Sequence, residues 1–561
     1  MKSRVVPGSP ARNGGPRNGV GRRIGSAVAG LCLFVLVNPL ARGQHEGHGQ
    51  IVGWVPQEIL ERPVTLREDI GVVHEKVTTS VPQAQSFYDQ GLAYLHSFVW
   101  IEAARSFHQA LHLDPNLAMA YAGLADAYMG LLDPVAARAA LEKAQSLSAS
   151  ASEPEERKIR IRALLLDWYD SKGDLHKYFA YRGAISEAIT ATPTDPWLWI
   201  QRGFADEGSP QAHGQNGGVD TVAFYEMAVH LQPDEFPAHH YLAHTFETIG
   251  RNQDALVQST LYVQMAPAIP HAHHMHGHDL RRLGRTEEAI AEFQRAGQLE
   301  DAYYASERIP AQYDWHHAHN LNLLAMCYQA LGQMKSAEKE YREAFALPVY
   351  ADLAEYNRRE WPEFLLDRGR YSEALAAAQQ LALGRWDMGR FAGNALAARI
   401  LLRLNRVDEA QAELALAQEQ LQHLPSNVTS EVPDADLAAA EIVLRQGKVG
   451  ESNQMFRQLV ARIRAVPGPD AWSEALFQLQ AIARTARDAG DWELAEFVAK
   501  QMIDHDPSFA GGYYALAVTE AHAGNNTAAR AQFDKAAKLW DKADADLPEL
   551  SEVRQKLAAA P

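Results

Sequence analysis

Cysteine is nearly absent from this chain: 561 residues hold two, Cys32 and Cys327. Cys32 lies in an N-terminal stretch expected to be removed, behind Leu31 rather than the small residue a lipoprotein acceptor needs. One thiol then survives, which excludes an intramolecular disulfide and any cysteine-rich zinc or c-type haem site. Basic charge is also scarce, with 53 Lys and Arg against 70 Asp and Glu. Seven of those cations fall in the first 43 residues, which hold no acid, so the remainder carries about −24. No basic patch follows residue 43, and a field of this sign repels phosphate backbones, which argues against a nucleic-acid partner. Missing too are a G-x-x-x-x-G-K-[ST] loop, a G-x-S-x-G elbow and any long strand-period segment, so the conventional enzyme readings lose their usual support. Hydrophobic residues at 47% and charged residues at 22% are ordinary values for a chain that buries a core.

What is present begins with an N-terminus that reads as an export signal. Arg12, Arg17, Arg22 and Arg23 precede the apolar run Ala27 to Val37 and then Ala41-Arg42-Gly43, with cleavage expected after Gly43. A single membrane anchor is the alternative, but Asn38 and Pro39 cut the run short of a bilayer span. A periplasmic or extracellular protein is expected, with no membrane contact beyond the signal.

From Phe87 the chain reads FYDQGLAYLHSFVWIEAARSFHQALHLDP, two amphipathic helices that Pro115 ends. Gly91 and Ala103 are small enough for the helices to approach. The pattern returns 34 residues on with Tyr121, Leu124, Ala125, Tyr128, Ala137 and Ala144. It recurs around Leu242 to Ala255, Gly277 to Ala296, Leu324 to Ala344 and Tyr513 to Ala536, and more weakly around Gly369, Asn405, Gly447 and Gly490. This resembles the tetratricopeptide repeat, whose period is 34. The resemblance implies an all-α, right-handed superhelical solenoid of about ten to eleven antiparallel helix pairs, with a concave groove lined by first helices. Five segments follow: export signal 1–43, N-terminal extension 44–83, N-terminal repeats with an irregular helix pair 84–194, His-rich middle repeats 195–350, and C-terminal repeats 351–561. Residues 152–194 lack the small-residue offsets, Ser209 to Gly218 reads as a surface loop, and an insertion around Tyr303 to Trp315 delays the next unit.

Histidine is the unusual component. Of 23, 12 lie between His230 and His319. His240 and His244 are four apart on one first helix, His274 and His278 four apart on the next, and the pairs are separated by 34. At a His frequency of about 4%, four specified positions are all His by chance with a probability on the order of 10⁻⁶. Residues at i and i+4 share a helix face, and neighbouring helices pack about 8–10 Å apart, so four imidazoles can converge on one ion. By resemblance these are repeat positions 5 and 9, which face the groove; His271 and His319 take position 2, and Asn322 position 5. Neutral imidazole suits copper, zinc or iron. A groove that hydrogen-bonds a peptide, and a His pair merely carried along by repeat duplication, remain as alternatives.

The strings AHHYLAHTFE, PHAHHMHGHDLRRLGR and HNLNLLA are similar to those of exported bacterial tetratricopeptide proteins with His-bearing first helices. The chain departs from that pattern at Val99-Trp100, where Asn-His is expected, and at Asn322, where His is expected. Further groove candidates are Arg359 and Glu363, which clamp a polar ligand or pair with each other along one helix, and Glu247, a carboxylate to orient an imidazole. Asp206 and Glu207 are expected near the same groove, His316 is a possible addition through the loop, and His45 and His48 read as a solvated tail. The sequence thus points to an exported solenoid that binds a protein or peptide in its groove, with a His-ligated transition-metal site in the middle repeats. The alternative is a metal-dependent oxidoreductase or hydrolase, with Glu247 or Glu207 as base.

Overall fold

Proline opens and glycine closes many of the helices. Pro82, Pro134, Pro196, Pro237 and Pro270 each stand in a first helical turn, where the missing N–H costs nothing and φ is already helical. The carboxylates of Asp133, Asp195, Asp314 and Asp491 accept from free backbone N–H groups in first turns, two of them in the helices that begin with Pro134 and Pro196. Between the two helices of a pair the chain turns through one left-handed residue. Gly250, Gly284, Gly332, Gly369, Gly447, Gly490 and Gly524 fill that position with φ between 72° and 80°, a conformation that costs glycine little. Phe98, Leu132 and Asn405 hold the same place in three other turns, at φ 58°, 59° and 61°.

The computed structural model describes residues 55–558 apart from 172, 208–213, 350–351, 425–428, 430–431 and 467. The expected export signal, His45 and His48, and half of the 209–218 loop lie outside the described residues. Among the described residues there is no strand, and no helix is long and apolar enough to cross a membrane. Within the described residues twelve antiparallel helix pairs stack in sequence, from Pro82–Leu95 with Trp100–Leu113 to Ala510–His522 with Asn526–Leu539, followed by Pro548–Ala558. That exceeds the expected ten to eleven. The pattern-poor stretch also pairs, as Glu153–Tyr169 with Leu175–Ala191, burying Ile161, Leu165, Tyr181 and Ile185 without the small-residue offsets. Where those offsets exist they set the approach: a Cβ on Gly91 or Gly123 would lie 2.5 Å from the Phe107 ring, and one on Gly277 2.9 Å from Phe293.

The superhelix closes on itself. The insertion after the second middle repeat extends helix Thr286–Glu307 to 22 residues, long enough to reach the first repeat, where the Tyr303 hydroxyl donates to Glu102 at 3.0 Å and Glu307 pairs with Arg105 at 3.0 Å. From the other end, Arg281 meets Asp506 at 2.8 Å, Arg281 and Arg282 lie over the Trp472 ring, and the Asp544 N–H donates to the Gly332 carbonyl at 3.1 Å. The helix Pro469–Asp488 thereby lies against Trp315–Ala330. The expectation of an open groove over the His stripe is therefore corrected. His240, His244, His271, His274 and His278 are at most 4% exposed, because the chain's own ends cover them.

Candidate metal centre

Three first helices carry the histidines: Pro237–Thr248, Pro270–Arg282 and Trp315–Ala330. The four-residue spacing aligns His240 with His244, and His274 with His278, along one face of each. The two pairs do not meet at a single four-imidazole point as expected. The superhelical offset between neighbouring helices brings His271, one turn before His274, against the first pair, and His319 against the second. Two groups result, His240, His244 and His271 (triad I) and His274, His278 and His319 (triad II), with the ligand atoms of each within 4.8 Å of one another.

In triad I the Nε2 atoms of His244 and His271 each lie 3.1 Å from Nε2 of His240. His240 Nδ1 donates to the His96 carbonyl at 2.7 Å; a carbonyl only accepts, so Nε2 of His240 is the bare lone pair. One lone pair satisfies one N–H donor, and His240 Nε2 faces two neighbours. An unmade hydrogen bond in a dry site costs about 1–3 kcal/mol. A transition ion would satisfy all three nitrogens, and ligands about 2.0–2.1 Å from a tetrahedral ion lie about 3.3 Å apart, close to the separation here. Burial, reinforced for His244 and His271 by the neighbouring imidazoles, holds all three rings far below the usual histidine range, His240 at about 3. They are neutral at pH 7, the state that ligates.

Aromatic rings wall this triad. Phe98 lies 4.7 Å from His240, 5.1 Å from His271 and 6.0 Å from His244 by ring centroids, and Tyr262 stacks on His240 at 4.8 Å. Phe98 reaches there from the left-handed turn position that glycine fills in seven other repeats, where a side chain costs about 1–2 kcal/mol. Trp100 itself packs on Gly130.

Triad II is wetter and more acidic. His274 Nδ1 donates to Asn320 Oδ1 at 3.0 Å, and the Asn320 amide donates to the Phe293 carbonyl at 3.0 Å, which fixes both tautomer and amide orientation. Burial and the surrounding imidazoles hold His274 and His319 well below the usual range. Among the described residues neither ring nitrogen of buried His278 has a hydrogen-bond partner, nor has either oxygen of buried Glu247, although the two groups stand 3.7 Å apart. Asp470, from the covering helix, stands 3.7 Å from His319 Nδ1, and His319 keeps 19% of its side chain exposed. Burial pushes the Asp470 carboxyl up to about 7.

Several expected site residues lie elsewhere. Asn322 turns its amide to the Asn357 carbonyl at 3.5 Å. Arg359 and Glu363 neither pair with each other nor open a clamp. Arg359 is buried against Glu474 and Asp434 and stacks on Tyr356, while Glu363 meets Arg399 at 3.3 Å, because the closing superhelix supplies partners from other helices. Asp206 pairs with Arg182 at 2.6 Å and Arg202 at 2.9 Å. Glu207 accepts from Tyr225 at 2.7 Å, behind the aromatic wall rather than at the histidines. Off the stripe, His239 bonds Gln258 at 2.6 Å and His273 bonds Glu292 at 2.6 Å. Phe98 and Asp470 were beyond sequence reasoning, since only the closed superhelix brings them to the centre. The turn geometry at Phe98, a bulky residue in a glycine position, was the one available signal.

Residues 318–348, the pair that carries His319, match the tetratricopeptide repeat family model. No curated protein matches the chain in sequence. Solved structures similar to it include the APC/C hetero-tetramer Cut9–Hcn1, at 11% identity, 85% of this chain and 97% of that one, with a TM-score of 0.31. The human IFIT1 dimer with m7Gppp-AAAA is similar at 12% identity over 82% of this chain and 91% of that one, with a TM-score of 0.34. The chain is thus a superhelical solenoid of helix pairs, one of which, residues 318–348, matches the tetratricopeptide repeat.

Proposed function

We propose that this solenoid is a transition-metal protein that holds an ion in each of its two three-histidine groups. The observation that carries the reading is the 3.1 Å convergence of three buried Nε2 atoms in triad I, one with its tautomer set by a backbone carbonyl. All-imidazole donor sets suit copper and zinc, with copper the tighter of the two in the usual affinity order. The basic and apolar N-terminus supports an exported location. A protein or peptide partner would bind outer repeat surfaces, since the histidine stripe is covered from within.

The test is elemental analysis of the full chain, purified without a histidine tag, beside a variant with His240, His244, His274 and His278 changed to Ala. About two ions per chain, lost in a variant that keeps its helical circular dichroism, is the expected result. A wild type that stays free of metal after loading with copper or zinc would overturn the reading.

A second reading, a metal-dependent enzyme, is favoured at triad II by Glu247 and Asp470. A carboxylate beside three imidazoles is the arrangement that moves a proton at a metal-activated water, with a coordination position left for substrate.

A further inference from the structure

Between the two triads stands a seventh imidazole. His316 sits one residue inside helix Trp315–Ala330. Its ring centroid is 5.1 Å from His271 of triad I and 4.4 Å from His274 of triad II. Its Nδ1 is hydrogen-bonded to Glu300, a wholly buried carboxylate whose second oxygen takes His317 Nδ1 at 2.8 Å. Its other nitrogen, Nε2, is buried and has no hydrogen-bond partner among the described residues.

A carboxylate only accepts when ionised, so Glu300 places the proton on Nδ1 and leaves Nε2 as a bare lone pair in a dry site. Histidine needs no such support merely to pack. The carboxylate comes from helix Thr286–Glu307, about two turns before its extended end, and the extension also anchors that helix to the first repeat. Across the gap, the rings of His271 and His274 are 5.6 Å apart, so the two triads share a wall rather than standing as remote sites.

We infer that His316, held by Glu300, makes the two triads a single paired-metal centre by presenting a ligand to the space between them. The inference rests on the metal reading above. Glu300 is a positioning residue in this scheme, and His317 its second, non-ligating partner.

The experiment is a Cu(II) titration of the full chain, followed by calorimetry and by electron paramagnetic resonance spin counting. The wild type is expected to take about two ions in one cooperative step, with fewer spins than copper ions because close ions couple. His316→Gln is expected to split the titration into two steps separated by at least about tenfold, with spins equal to copper. Glu300→Gln is expected to move affinity in the same direction by about 10–100-fold, the usual effect of losing a carboxylate behind a ligating histidine. His317→Gln should leave the titration as in the wild type. If His316→Gln fails the circular-dichroism check for folding, Glu300→Gln decides alone. Two independent wild-type steps with a full spin count, an unchanged titration in folded His316→Gln or Glu300→Gln, or an effect of His317→Gln as large as that of Glu300→Gln would overturn the inference while leaving a metal protein. A folded wild type that binds no copper and no zinc would remove the metal reading itself.

Discussion

Triads I and II draw on the same repeat positions of neighbouring helices, yet their surroundings differ in kind. Triad I is dry, ringed by Phe98, Tyr241 and Tyr262, with a backbone carbonyl behind His240. Triad II has carboxylates at 3.7 Å from two of its three imidazoles and a partly exposed His319. Identical ligands in a dry aromatic shell suit an ion that is held. The same ligands beside acids and solvent suit an ion that reacts or exchanges. Here chemistry is set by what the rest of the chain lays over each triad, since the repeat positions of the histidines are common to both.

The largest expected effect comes from cutting each triad separately. His240→Ala with His244→Ala should reduce metal content from about two ions to about one, and His274→Ala with His278→Ala should do the same. If the two sites differ as argued, the ion left in triad II of the first variant exchanges with a soluble chelator faster than the ion left in triad I of the second. Equal exchange would erase the distinction.

Phe98→Ala attacks only the dry side. Removing a buried ring costs about 3–5 kcal/mol, and Phe98→Gly should cost about 1 kcal/mol less, because glycine relieves the left-handed turn. Urea unfolding of the metal-free protein gives both numbers, and chelator extraction should quicken at triad I alone. Glu247→Gln with Asp470→Asn attacks the acidic side, with a loss of about 10–100-fold in affinity at triad II and none at triad I. Competition titrations against a chelator, performed in each single-triad background, resolve the two.

The smallest effect is in pH. Glu207 lies behind the triad I wall, bonded to Tyr225, whose ring is 5.6 Å from Tyr241, and the Tyr241 hydroxyl meets His96 Nδ1 at 2.6 Å. Burial raises the Glu207 carboxyl to about 8. A pKa raised above its unfolded value adds stability that is complete below the unfolded value and disappears as pH rises through the folded one. Unfolding free energy should therefore fall as pH rises from about 4.3 to about 8, by up to about 1.4 kcal/mol per unit from this group, and level off above that. Glu207→Gln should flatten that slope below pH 8 and leave the region above it unchanged, measured as melting temperature between pH 5.5 and 9.

Much of this was legible in the sequence, and the limits have physical causes. The 34-residue period gave the helix pairs because each pair has to bury one stripe against its neighbour, a local requirement that recurs in composition. Four of the seven central histidines stood out by the same periodicity, and His271 and His319 by the repeat position that the resemblance implies. Their grouping did not: period alone set His240 and His244 beside His274 and His278, whereas the offset between stacked helices pairs them with His271 and His319. Arg359 and Glu363 failed for a related reason. Along one helix they are natural partners, but the closing superhelix offers Glu474 and Arg399, and buried charges take the partners that leave them best paired.

Sequence by itself determined the helix-pair repeat, the scarcity of thiols and the set of imidazoles available, since all three follow from residue type and short-range spacing. Tertiary structure alone decided that the stripe is covered, that it divides into two triads with His316 between them, and that Phe98 faces one and Asp470 the other. The contacts of Phe98 and Asp470 join residues more than a hundred positions apart. No local pattern encodes them, because they exist only once the superhelix has turned far enough to bring its two ends onto its middle.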